Sequence, residues 1–431
     1  MNSIKRTGDK EIEMLKLNRK AFIIWVFVLM GTIMLTFFTY KDIYLSVYWL
    51  ILFIFVTWCF ASIRKRILNT LLVFSLFYIV LFAFGPMLLY KQGLDYYRSV
   101  GNYIIISYLF FAIGYCVGGR KIFKHKATDI FLPSDNYKTI YLISVIIFLI
   151  GSIAYSLYFV KNWLYIFIAD FNSGRVDAMK GNGLLLWTGS LVWLSVYMCY
   201  EQSLINGHYK VSAYCMFAIA AIFSVLLGFR SALVNPILVM FFMKNKKKEI
   251  SLQKMAILAI ILFGFVGIYG AVRSGGGSSI DSLLNEFKVS SVNLNYIFEC
   301  FPDKVNYQMG KTYLLDFVTL VDDNTEGTTS WLKEVLGLHF SGGGVTPTIM
   351  GEFYINWGLI GGVIGMTLTG CVFKRIEQSY QNPHNSLFIC CLFWGYIRPI
   401  IRGGWANSIV NILFYIVAYC GCQFIAKKCK I

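Results

Sequence analysis

The sequence predicts an all-α polytopic membrane protein with about twelve transmembrane helices, each needing about 20 apolar residues to cross the hydrocarbon core. Three observations carry that prediction. Hydrophobic residues make up 57% of the chain and charged residues only 14%, where a soluble domain carries roughly a quarter charged. Apolar runs of membrane length recur from one end of the chain to the other. The basic residues behind the net charge of +17 fall mostly on one side of the alternating loops. Together these exclude a soluble enzyme, a disordered chain and a disulfide-built secreted domain.

The apolar runs place spans at 21–39, 43–62, 67–90, 101–118, 138–160, 184–200, 211–228, 231–243, 252–272, 353–373, 386–401 and 405–426. The run at 231–243 is short of membrane length and needs residues from the turn around Arg230. Ala21 to Thr39 is long enough to stay as an anchor, so it does not read as a signal peptide. Basic clusters precede the first run and recur at Arg64-Lys65-Arg66, from Arg120 to Lys138, at Lys210, from Lys244 to Lys254, at Lys374-Arg375 and from Lys427 to Lys430. Alternation of the spans puts 25 of the 39 basic residues on one side, with only eight acids. The positive-inside bias makes that side cytoplasmic, and both termini with it. The charge is a topology signal, and no nucleic-acid partner is implied.

The chain divides into a membrane domain over 1–272 with nine spans, a large external loop over 273–352, and a membrane segment over 353–431 with the last three. Within the loop, Ile280, Leu283, Leu284 and Phe287 predict one face of a helix in 280–300. The segment after Gly310 predicts an amphipathic helix suited to the bilayer surface. A polar turn at Asp322-Asp323-Asn324 leads to a short helix around Trp331 to Leu336. Glycine-rich ends at Gly275-Gly276-Gly277 and Gly342-Gly343-Gly344 suit a loop that packs over a cleft.

Neither cofactor nor metal is expected. Asp322-Asp323 reads as a solvated turn, and no phosphate-cradling loop, dinucleotide fingerprint or zinc-hydrolase helix occurs. Of the eleven cysteines only Cys300 reaches the large loop, so no disulfide is expected there, and the others read as packing residues.

The chemistry-bearing residues are arginines and one glutamate. Arg230 stands between two apolar runs, Arg273 ends the ninth span, and Arg398 and Arg402 lie one helical turn apart, all at the external end of a span. An arginine near lipid faces a cavity or a partner, or snorkels to headgroups. Guanidinium forks suit phosphate oxygens, and a lipid diphosphate is the obvious anion at a membrane surface. Glu352 sits at the mouth of the tenth span with Asn356 at i+4 on the same face, while Tyr354 points elsewhere. Such a carboxylate acts as a base or charges the start of its own helix. Gly358, Gly361, Gly362 and Gly365 suit close helix packing.

The run Gly351-Glu352, Tyr354, Asn356, Gly358 before a glycine-rich span, the isolated Arg230 after Gly228-Phe229, and the late pair Arg398 and Arg402 resemble the bacterial O-antigen polymerase family, the oligosaccharide repeat unit polymerases. The resemblance implies a fold similar to the membrane glycosyltransferases called GT-C. It implies a metal-independent reaction at the external face of the bacterial inner membrane. A glycan on undecaprenyl diphosphate passes to the non-reducing end of another lipid-linked repeat unit, making O-antigen or capsular polysaccharide. Arg230, Arg273, Arg398 and Arg402 would bind the lipid diphosphate. Glu352, or second to it His339, would be the base, and Tyr354 and Asn356 would contact the glycan. A flippase and a chain-length regulator are the implied protein partners.

An O-antigen ligase would use the same donor with a different acceptor. A lipid-linked oligosaccharide flippase should line several spans with charge, and a transporter should show broken helices or repeat symmetry. Neither pattern stands out in the sequence.

Overall fold

The computed structural model describes residues 41–61, 69–119, 137–164, 181–228, 230–273, 279–319, 327–340, 343–382 and 385–429, with Met34, Thr39, Gly174, Ala178 and Met179. The expected span at 21–39 and the Asp322-Asp323 turn lie outside these residues, apart from Met34 and Thr39. Among the described residues the chain is helical and holds no strand.

The first helices are α1 (Ile43–Ala61), α2 (Thr70–Phe82), α3 (Gly85–Lys91), α4 (Tyr97–Gly118), α5 (Tyr137–Lys161) and α6 (Gly183–Asn206). There follow α7 (Lys210–Leu226), α8 (Arg230–Lys247) and α9 (Leu252–Arg273). The segment expected to form the large loop contains α10 (Ser279–Cys300), α11 (Lys311–Val318) and α12 (Thr328–Val335). The chain then returns as α13 (Ile349–Gln381), α14 (Leu387–Gly395), α15 (Ile397–Gly403) and α16 (Trp405–Lys428). Helices were expected at 280–300, after Gly310 and around Trp331, and α10, α11 and α12 stand there.

Six described helices are long and apolar enough to cross a membrane: Thr70–Lys91, which joins α2 to α3, then α4, α5, α6, α13 and α16. Exposed apolar side chains mark their lipid-facing stripes, as at Leu149, Ile153 and Leu157 of α5. The expected span at 386–401 is not one helix but α14 and α15, parted at Tyr396. Pro399 accounts for the break, because it has no N–H and its ring crowds the carbonyl four residues back.

Two helix pairs form the frame, α5 with α6 and α4 with α13. The α4–α13 contact is close because its small residues face backbone: a Cβ at Gly118 would lie 2.8 Å from Cys371 Cα. Aromatic side chains fill the space beside it, with Phe74 stacked on Phe111 at 3.7 Å and edge-on to Phe373 at 5.3 Å. Buried carboxylates tie further helices together. Glu377 of α13 accepts from the Thr70 N–H at 3.2 Å at the start of α2, and from the Tyr115 hydroxyl. Glu201 of α6 accepts from the Phe388 N–H at 3.1 Å at the start of α14, and from the Tyr419 hydroxyl at 2.7 Å.

Candidate active site at the junction of the loop and the last helices

The site is built where α13 begins. Thr348 caps that helix, its hydroxyl accepting from the Gly351 N–H at 3.1 Å, and its own N–H donates to the Arg402 carbonyl at 3.1 Å. The end of α15, with Arg402, is thereby fixed against the start of α13. One turn on, the Glu352 carboxylate accepts from the Trp405 N–H at 2.6 Å and the Ala406 N–H at 2.9 Å. These are among the unpaired donors that open α16, and they carry the positive end of its dipole. The contact needs Gly404, which has φ +88°; a Cβ there would lie 2.7 Å from the Glu352 carboxylate. Glu352 is only 1% exposed. It is therefore not at an open mouth, as its position at the end of a span suggested. The helix start it serves directly is that of α16.

Asn356 joins α13 to the loop. Its side-chain oxygen accepts from the Gly310 N–H at 2.8 Å, and its amide donates to Thr312 Oγ1 at 2.6 Å and the Glu352 carbonyl at 2.8 Å. Immediately after it, α13 breaks: Trp357 and Gly358 leave helical geometry, Gly358 at φ +65°. The carbonyls of Ile355 and Asn356 accept instead from the N–H groups of Gln308 at 2.9 Å and Met309 at 3.1 Å. Buried backbone groups freed from a helix must find such partners. Gly358 thus takes a backbone role beside the expected packing one: a Cβ there would lie 2.8 Å from the Tyr307 hydroxyl, and one at Gly362 would meet the Tyr103 ring of α4.

Tyr354 does point away from Glu352 and Asn356. It stacks on Phe298 of α10 at 4.2 Å, and its hydroxyl donates to the Phe301 carbonyl at 3.3 Å.

Arg398 and Arg402 share α15 and are half-buried. Arg230 opens α8 and Arg273 closes α9, and their side chains lie outside what is described. His339 is exposed in the segment beyond α12.

Two residues that sequence reasoning passed over join the site. Thr312 and Asp316, at i and i+4 on α11, are both buried. The Asp316 carboxylate accepts from the Thr328 N–H at 2.9 Å, and Thr328 Oγ1 donates to the Thr312 carbonyl at 2.9 Å, which seats α12 on α11. Burial pushes the Asp316 carboxyl above the ordinary carboxylate range. The available signal was this polar pair on one face of an otherwise apolar short helix. Tyr313, between them, stacks on Trp357 at 5.5 Å. Both rings line an apolar groove of about 760 Å³ with Phe353, Ile364, Leu368 and Trp405.

An all-helical bundle with lipid-facing stripes, whose loop is hydrogen-bonded into a broken helix, is an integral membrane protein with a polar site at its loop–bundle junction. The chain matches the family described as O-antigen polysaccharide polymerase Wzy over residues 20–430, and it belongs to that family. The resemblance carried by Glu352, Tyr354 and Asn356 is thereby confirmed at the level of the family. No curated protein and no solved structure matches the chain.

Proposed function

We propose that the protein polymerises oligosaccharide repeat units carried on undecaprenyl diphosphate, at the external face of the bacterial inner membrane and without a metal. Membership of the polymerase family over nearly the whole chain is the observation that carries this reading. The reaction transfers the growing glycan from its lipid diphosphate to a sugar hydroxyl of the next repeat unit. The leaving diphosphate needs charge stabilisation, and Arg398 and Arg402, with Arg230 and Arg273, supply guanidinium donors for it. The Thr348–Arg402 bond supports this, because it fixes one arginine of the clamp against the start of α13. Tyr354 and Asn356 act on the glycan through the loop segments they hold. Both oxygens of Glu352 already accept backbone N–H bonds, which favours positioning of α15 and α16 over direct proton acceptance. A flippase that delivers repeat units and a chain-length regulator are the expected partners.

The test is polymer length in cells lacking the native copy, complemented with Arg→Lys variants at the four positions. Lysine keeps the charge but loses the two-pronged donor, so the variants should make short or no polymer. Four lysine variants that all make wild-type ladders would remove the diphosphate clamp.

A further inference from the structure

The apolar groove that begins at the candidate site runs away from it along α13. Ile360, Ile364, Leu368 and Val372, at every fourth residue and hence on one face, form one wall over about 18 Å. Phe393 of α14 and Trp405 and Ile409 of α16 line the other side. The break at Trp357 and Gly358 shapes the end nearest the site. It lets the Phe353 ring lie back on the later helix, where a Cβ at Gly365 would meet that ring at 2.5 Å, and it sets Trp357 against Tyr313. Thr369, within the wall, spends its hydroxyl on the protein, accepting from Trp405 Nε1 at 3.0 Å and donating to the Gly365 carbonyl at 2.7 Å. The groove thus offers an occupant hydrocarbon and aromatic surface, and a sugar or a headgroup would leave its polar groups unpaired there. Its volume of about 760 Å³ falls within the roughly 300–1,000 Å³ of built ligand sites.

What fills such a groove is set by what stands at its end. Trp405 lines the groove and also donates its backbone N–H to Glu352 at 2.6 Å. Arg402, half-buried, lies three residues before Trp405, no more than about 11 Å away between Cα atoms. An anion held at Arg402 therefore has the groove within reach of its first carbons. Helix α13 is long and apolar enough to cross a membrane, and the exposed Ile360, Ile364 and Leu368 leave the groove open along its length. We propose that the groove binds the polyprenyl chain of the donor, with the diphosphate at Arg402 and the isoprene units lying between α13 and α16. A guanidinium at the head and a continuous apolar run behind it match one long chain that ends in a diphosphate. The tail undergoes no chemistry, so its contacts serve to hold and orient the reacting end. This assignment rests on the polymerase reading, which supplies the lipid diphosphate.

The experiment uses the full chain in phospholipid nanodiscs, with undecaprenyl diphosphate, which carries no sugar, as the probe. It reads the half-saturating mole fraction of the probe from its stabilisation of the protein against heat, and separately the polymer made from lipid-linked repeat units. Ile364→Trp and Leu368→Trp fill the groove. Leu359→Trp is the control, because Leu359 lies on the same helix outside the groove and is 59% exposed against 60% for Leu368. The two groove variants should weaken probe binding about tenfold or more, the loss of about two buried methylene groups, and Leu359→Trp should leave it unchanged. Dioleoyl phosphatidic acid, a phosphate on acyl chains, should be needed at about tenfold higher level than undecaprenyl phosphate to displace the probe. Equal affinities in all three variants, or equal competition by phosphatidic acid, would overturn the assignment and leave the groove to ordinary lipid. The competition needs no variant, so it decides alone if one fails to accumulate. A wild-type chain that binds the probe with this preference yet makes no polymer overturns the polymerase reading, while the groove stands as a polyprenyl site.

Discussion

Glu352 Oε2 accepts a 2.6 Å hydrogen bond from the backbone N–H of Trp405, across a sequence separation of 53 residues. The same device recurs at Glu377 with Thr70 and at Glu201 with Phe388. In each case a buried carboxylate from one helix satisfies the unpaired donors that open another. A carboxyl group offers two acceptor oxygens, so it can meet two N–H donors at a helix start that is out of reach of water. Glu352 differs from the other two in its neighbours, because Asp316, Tyr313 and the end of α15 lie around it.

Glu352→Gln should therefore cost stability as well as activity. Glutamine offers one acceptor oxygen, and its amide group would face the second N–H donor. The loss should be about 1–3 kcal/mol, the cost of a buried group left unpaired. Thermal unfolding of the detergent-solubilised protein measures it. An unchanged midpoint with polymer abolished would restore Glu352 to direct proton acceptance.

Topology gives an independent check on where the site faces. A reporter fused after Lys248 should read as cytoplasmic, because Lys244 to Lys248 form one of the densest basic clusters and such clusters stay inside. A reporter inserted near Thr325 should read as external. A cytoplasmic signal at Thr325 would put α11 and α12 on the wrong side for an external polymerisation site.

The membrane class and the loop helices were legible because hydropathy and helical periodicity are local signals. The family was legible from the Gly351–Gly358 run, yet the mechanics of that run were not. Whether Glu352 caps its own helix or α16 depends on a contact with Trp405 that no spacing encodes. Glycines at 358, 361, 362 and 365 look alike in sequence, while only the fold shows that Gly358 breaks the helix and Gly362 admits Tyr103. Asp316 was hidden for the opposite reason. One acid in a short amphipathic helix reads as a solvated face until α12 is seen to cover it. The break at Tyr396 was readable in principle from Pro399, but the apolar run around it outweighed that single residue.

Asn356→Leu should detach the loop from the break in α13. The substitution removes three side-chain hydrogen bonds, to Gly310, Thr312 and the Glu352 carbonyl. It leaves the Gly310 N–H and the Thr312 hydroxyl to find new partners, each at about 1–3 kcal/mol if none is found. Limited proteolysis between Phe301 and Gly327 should accelerate about tenfold or more, since opening follows the local free energy. Wild-type protection would mean that Gln308 and Met309 hold the loop unaided through their bonds to Ile355 and Asn356.

The neighbouring glycines Gly403 and Gly404 offer the sharpest contrast. A Cβ at Gly403 meets nothing within 4 Å, whereas one at Gly404 meets the Glu352 carboxylate at 2.7 Å. Gly404 also has φ +88° with ψ −179°, a region closed to residues with a side chain. Holding alanine in that conformation costs about 1–3 kcal/mol before any clash is counted. The clash must be relieved by moving a carboxylate that is itself bonded to two N–H groups. Gly404→Ala should therefore lower both the unfolding midpoint and the polymer yield. Gly403→Ala, at the end of the same short helix and next to Arg402, should leave both near wild type. Equal effects of the two substitutions would mean that the junction yields easily, and that Glu352 does not hold α16 in place.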